Sequence, residues 1–131
     1  MSDPTSFYTG WLVDPAEREA LLARFPPLYE RVVAHHVTLK FGGGEAGSPG
    51  EVTAQIVGEV DDGAGVQALI VAIDGSSARP DGGVFHITWS LADGREARES
   101  NDVIAARPWA PLDTPVPVRL IPAALSSSPA R

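Results

Sequence analysis

Cysteine is absent from the 131 residues, which removes disulfides, thiolate nucleophiles and cysteine-ligated zinc from consideration. Nothing in the chain then asks for an oxidising compartment. Long apolar runs are absent as well. No stretch approaches the roughly 18 consecutive apolar residues of a membrane-spanning helix, so no membrane partner is expected. Residues 1–5 have neither a basic start nor an apolar segment, so no secretory leader is expected and a cytoplasmic location is the default. Positive charge is scarce: 10 basic residues stand against 17 acidic ones, for a net charge of −7. Proteins that grip long nucleic acid usually carry a basic surface, because phosphate contacts dominate that affinity. A nucleic-acid partner for this chain is therefore expected to be short, or to be a strand end. Lys40 is the sole lysine, and there are only three histidines.

What is present suits a globular chain: 44% hydrophobic and 21% charged residues, at a length that fits one domain and can fold without staples. Residues 1–125 read as that domain. Residues 126–131 are small and polar and read as a frayed tail. Residues 7–13 (FYTGWLV) have the aromatic and β-branched content of a strand. A helix follows over 15–25, with Asp14 as cap, Pro15 at the first position and Glu17 completing a capping box, until Pro26-Pro27 stop it. Residues 32–41 read as one strand ending at Gly42-Gly43-Gly44. Residues 52–60 and 66–73 read as a hairpin about Asp61-Asp62-Gly63, and the second arm, apolar on both faces, as a central strand. Residues 84–91 form another strand, 100–106 a short helix capped by Ser100 or Asn101, and 116–121 a last strand. Pro115, Pro117 and Pro122 put that last strand at an edge. The order predicts an α+β fold with mostly antiparallel pairing.

Two of these strands carry the same short text. His36-Val37-Thr38-Leu39 and His86-Ile87-Thr88-Trp89 both read His-x-Thr-x with apolar x, 50 residues apart. The two-residue strand period puts His36, Thr38 and Lys40 on one face and Val37, Leu39 and Phe41 on the other. It likewise groups His86, Thr88 and Ser90 against Phe85, Ile87, Trp89 and Leu91. An apolar back with a front of imidazole and hydroxyl is costly to bury dry. It suits phosphodiester chemistry well. One imidazole takes a proton from water or a sugar hydroxyl and the other gives one to the leaving oxygen. The threonine hydroxyls and Lys40 are placed to meet the non-bridging phosphate oxygens. A single His-x-Thr-x occurs by chance; the matched pair in a chain with three histidines is the signal. The motifs are near-symmetric, so which histidine is acid and which is base stays open.

The paired motifs, with the wider texts AHHVTLKFG and FHITWS, resemble the two-histidine (2H) phosphoesterase superfamily. That group takes in 2′-5′ RNA ligase-like proteins, cyclic phosphodiesterases and bacterial RNA repair-like proteins. The resemblance covers most of the chain, although the chain is short for the family and its second half offers only a short helix. It implies a bilobal fold, two mostly antiparallel sheets facing a central cleft, with a motif strand in each. It implies hydrolysis of a 2′,3′-cyclic phosphate or a related nucleotide or RNA-end phosphodiester. The two-imidazole chemistry needs no metal and the sequence offers no carboxylate cluster to hold one, so no cofactor and no metal are expected. The roles it implies fall on His36 and His86 as catalysts and on Thr38 and Thr88 as phosphate binders. Both motifs lie in one chain, so a monomer suffices.

Further candidates are weaker. Tyr8 offers a ring to stack on a base, Arg79 precedes the second motif and is a candidate for the phosphate, and Ser90 extends its polar face. His35 alternates onto the apolar face of Val37 and is expected to be packed. The Gly42-Gly43-Gly44 run lacks the ending of a phosphate-cradling loop and reads as a strand exit. Asn101 and Asp102 read as helix caps. Two rival readings remain. The same cleft could bind a nucleotide or RNA end without turnover, or the motif pair could be a coincidence in an unrelated interaction protein. The second rival requires the two histidines to lie on separate surfaces.

Overall fold

A computed structural model of the chain describes residues 6–41, 50–80 and 82–127, with side chains for 9–39, 50–80 and 82–123. The elements run β1 (Ser6–Val13), α1 (Pro15–Arg24), β2 (Arg31–Val32), β3 (His36–Phe41), β4 (Ala54–Asp61), β5 (Val66–Ile73), β6 (His86–Leu91), α2 (Glu99–Ala106), β7 (Ala110–Val118) and β8 (Leu120–Ser127). Among the described residues this is an α+β fold with two helices, and every strand pairing is antiparallel. The strands join in one hydrogen-bonded path, β7-β4-β5-β6-β3-β1-β8, with β2 beside β6. At the middle of that path β3 and β6 meet through the pair Val37–Ile87.

The predicted final strand over 116–121 is in fact the junction of two strands. Val118 ends β7 opposite Ala54, and Leu120 begins β8 opposite Val13. The two edge strands of the sheet are thus separated by Arg119 alone, so the sheet must curl until its edges meet there. Strand pairing continues to Ser127, beyond the expected end. The capping box changes with it. Asp14 caps α1 by accepting from the Ala16 N–H at 2.8 Å. Glu17 reaches across the fold and accepts from the Arg119 N–H at 2.7 Å, while the Asp14 N–H donates to the Arg119 carbonyl at 3.0 Å. The head of α1 therefore clamps the corner where the edges join.

Curling divides the apolar residues into two clusters. One face of the sheet gathers Trp11, Val37, Ile56, Leu69, Val71, Ile87, Trp89, Val118 and Leu120, closed by Leu21 and Phe25 of α1 and its C-cap. The other face of β5 and β6 packs Ala68, Ile70 and Leu91 under Val103 and Ile104 of α2. All eight residues of β5 are buried, as a strand covered on both sides requires.

The expected strand over 32–41 breaks in two. β2 ends at Val32, Ala34 takes a left-handed φ of 44°, and β3 starts at His36. Each motif strand also carries a bulge at its fourth motif residue. On β3, Thr38 pairs with Gly10 and Lys40 with Thr9, leaving Leu39 without a partner on β1. On β6, Thr88 pairs with Ala68 and Ser90 with Gln67, leaving Trp89 without one on β5. Bulges sharpen twist and re-aim the residues beside them.

At Gly10 the backbone of β1 lies close against the first motif. A Cβ there would sit 2.0 Å from the Val37 carbonyl oxygen, so the backbones must separate to admit one. Gly10→Ala is expected to destabilise the fold by about 1–3 kcal/mol, measured by urea unfolding. An unchanged midpoint would mean that the strands part freely.

Candidate functional site

The site is set by the register at the middle of the sheet. Val37 lies opposite Ile87, and both belong to the cluster under α1. Their neighbours in sequence, His36 and Thr38 on β3 and His86 and Thr88 on β6, alternate onto the opposite face. Because the strands are antiparallel, Thr38 falls beside His86, and His36 falls beside Thr88. The two histidines are then diagonal neighbours, a relation that separates Cα atoms by roughly 7–8 Å. The positive charge His86 would carry contributes to lowering the pKa of His36, as this proximity requires.

The histidines sit in different surroundings. His86 is buried, and its Nδ1 lies 2.8 Å from the Val84 carbonyl oxygen. A carbonyl only accepts, so Nδ1 carries the proton and Nε2 is left to exchange one. Burial pulls the His86 pKa below its usual value; the Val84 carbonyl opposes this and the charge of Arg79 adds to it. His36 is half-buried, and its pKa is lowered to about 4, first by burial and then by His35 and His86. At neutral pH both imidazoles are uncharged before a ligand arrives.

This has a consequence for stability. The unfolded chain protonates His36 near 6.5 and the folded chain only near 4. Between those values the unfolded state holds more protons, so stability rises with pH across the window, by at most about 3 kcal/mol from this group. His86 acts in the same direction. Urea midpoints at pH 4.5 and 7.5 should differ in that sense, and His36→Asn should reduce the difference; an equal difference in the variant would remove His36 as its cause.

The threonines differ too. The Thr88 hydroxyl lies 2.9 Å from the Ser100 hydroxyl and 3.3 Å from the Ala97 carbonyl, which it can reach as a donor. It ties α2 to the second motif. Thr38 is buried beside Gly10, and its hydroxyl has no protein partner among the described residues.

Other candidates fall elsewhere. Ser90 does not share the front of His86. The Trp89 bulge interrupts the two-residue period, and Ser90 is fully buried, donating to the Gln67 side-chain oxygen at 2.5 Å and accepting from the Tyr29 N–H at 3.2 Å. The Leu39 bulge interrupts the same period between Thr38 and Lys40. The side chains of Lys40 and Tyr8 lie outside the described residues, as do Gly42, Gly43 and Gly44. His35, expected in the core, is exposed, because the turn at Ala34 breaks the alternation. Its Nδ1 lies 3.0 Å from the Nδ1 of His36, with the two rings edge to face.

Arg79 is 7% exposed, and its Nη2 donates to the Asn101 side-chain oxygen at 3.1 Å. Neither Ser100 nor Asn101 caps α2: Ser100 is fully buried against Thr88, and Asn101 holds Arg79. The cap position is Arg98, which makes no side-chain capping bond. Arg79 and Asn101 line a cavity of about 530 Å³, with Gly82, Gly83, Val84, Ile104 and Ala105. Sequence reasoning missed Ser100 and the pairing role of Asn101. Their signal was the helical spacing of Asn101, Ile104 and Ala105, which share a face distinct from that of Ser100 and Val103.

Among the described residues, no group of three or more histidine, aspartate and glutamate side chains comes together in the manner of a metal site, and no helix is long and apolar enough to cross a membrane. No family model, curated protein or solved structure matches the chain.

Proposed function

We propose that the chain is a phosphodiesterase of the two-histidine kind, hydrolysing a 2′,3′-cyclic phosphate or a related nucleotide or RNA-end phosphodiester without a metal. The observation that carries this reading is the Val37–Ile87 register, which makes neighbours of two His-x-Thr strands and turns the four polar residues to one side. The two halves of the sheet on either side of that pair act as the lobes of the cleft. One half is β1, β3 and β8; the other is β4, β5, β6 and β7.

The unequal surroundings of the histidines suggest a division of labour. His36, the imidazole held near 4, stays neutral and takes a proton from the attacking water. His86, whose Nδ1–H is held by the Val84 carbonyl, accepts a proton at Nε2 as the anionic phosphate binds. It then delivers that proton to the leaving sugar oxygen as the bond from phosphorus to that oxygen breaks. Thr38 donates to a non-bridging oxygen, where charge grows in the transition state.

The test is hydrolysis of a panel of nucleoside 2′,3′-cyclic phosphates and short RNAs ending in a 2′,3′-cyclic phosphate, in excess chelator, with His36→Ala and His86→Ala alongside. Turnover by the native chain that disappears in both variants supports the reading. Tight binding with no turnover across the panel would replace it with a nucleotide-binding module. Full activity in His86→Ala would overturn the mechanism.

A further inference from the structure

The cavity of about 530 Å³ is not lined by either histidine, yet it adjoins the second motif through two of its walls. Val84 is one: its carbonyl oxygen is the one that holds His86 Nδ1. Arg79 is the other, close enough for its charge to lower the His86 pKa. The opposite wall is the Asn101, Ile104 and Ala105 face of α2, and α2 is fixed to the motif by the contact between Ser100 and Thr88.

The loop wall is built to a tight tolerance. The Arg79 N–H donates to the Gly83 carbonyl and the Gly82 N–H to the Arg79 carbonyl, both at 2.9 Å. The Arg79 guanidinium packs against Gly83 so closely that a Cβ there would lie 2.5 Å from Nη2 and 3.0 Å from Cζ. The Asn101 carboxamide holds the same guanidinium from the side of α2. The result is a slot with an immobilised guanidinium and carboxamide on a mostly apolar lining of Val84, Ile104 and Ala105. Small-molecule pockets have this character: apolar walls with a few fixed polar groups, at volumes of about 300–1,000 Å³. A planar heterocycle suits it, because the apolar walls of Val84, Ile104 and Ala105 accept a π-face.

We infer that this cavity seats the nucleobase of the substrate whose phosphate reaches His86. The inference rests on the phosphodiesterase reading for its substrate and adds the subsite that makes the substrate a nucleotide rather than any cyclic phosphate. A strand end fits the same slot through its terminal base.

Two measurements test it. The first compares kcat/KM on nucleoside 2′,3′-cyclic phosphates with kcat/KM on the base-free 1-O-methylribose 2,3-cyclic phosphate, for the native chain and Ala105→Trp. Ala105 is exposed, so the substitution fills the slot from its rim without touching the core. The ratio of the two kcat/KM values should fall at least ten-fold in the variant, through KM. An unchanged ratio overturns the subsite. The second needs no turnover. Nucleoside 3′-monophosphates are titrated into the native chain while the amide resonances of Gly83 and Ala105 are followed. Shifts with the nucleotides and none with ribose 3-phosphate support a base site even if nothing is hydrolysed, in which case only the catalytic reading fails. No shift with any nucleotide, or equal shifts with inorganic phosphate, overturns the base assignment.

Discussion

Replacing His86 by alanine should lower kcat/KM on the preferred 2′,3′-cyclic nucleotide by about 10²–10⁴-fold, the usual contribution of a positioned acid or base. His36→Ala should do the same. The two losses should combine to much less than their product, because an acid and a base working on one phosphorus act as a unit. The pH profile carries a sharper expectation. kcat/KM reports the free enzyme, in which both imidazoles titrate below their usual value, His36 near 4. Activity should rise with pH as His36 loses its proton and becomes a base, then fall as His86 loses the proton that it must donate. Both limbs lie on the acid side of about 6.5, so the optimum should be mildly acidic. Rates measured from pH 3.5 to 8.5 check this; a bell centred above pH 7 would contradict the assignment of acid and base.

Trp89→Ala should cost about 3–5 kcal/mol, the range for removing a large buried aromatic. Trp89 is fully buried in the cluster under α1, edge to face with Phe25 at 6.3 Å. Its Nε1–H donates to the Phe25 carbonyl at 2.7 Å, at the C-terminal end of α1. Trp89→Phe should recover most of the packing and still lose about 1–3 kcal/mol, because the Phe25 carbonyl would be left buried without a donor. Urea unfolding of the three proteins resolves the two contributions. Equal losses for the two variants would mean that the hydrogen bond, rather than the aromatic body, holds α1 to β6.

Much of this arrangement was legible in the chain. The first strand and helix, the hairpin and the doubly covered fifth strand follow from period, caps and turn residues. The motif pair was legible because it repeats four residues with matched polarity. The bulges were not. Leu39 and Trp89 are good strand residues, and nothing in a two-residue period announces that one of them will lack a partner; the strand opposite decides that. For this reason the two-residue period sets Ser90 on the wrong face. His35 went astray through the left-handed Ala34, a residue that gives no warning of positive φ. Glu17 had the local text of a capping box but found a competing donor in Arg119, 102 residues away. Long-range partners of this kind are set by topology, which a reading of local pattern does not reach.

The corner at Arg119 has a bearing on how the molecule behaves in a crowd. An open sheet presents two rows of unpaired peptide groups, each a template on which another chain can add a strand and start an aggregate. Here both rows belong to a single stretch of chain bent at one residue and drawn together by the head of α1. Pro111, Pro115 and Pro117 in β7, and Pro122 in β8, have no N–H to offer. A strand arriving from a neighbouring molecule finds a row with missing donors that turns a corner before it can be followed. The same bend that gives the sheet its curvature therefore protects an acidic, strand-rich chain from assembling edge to edge.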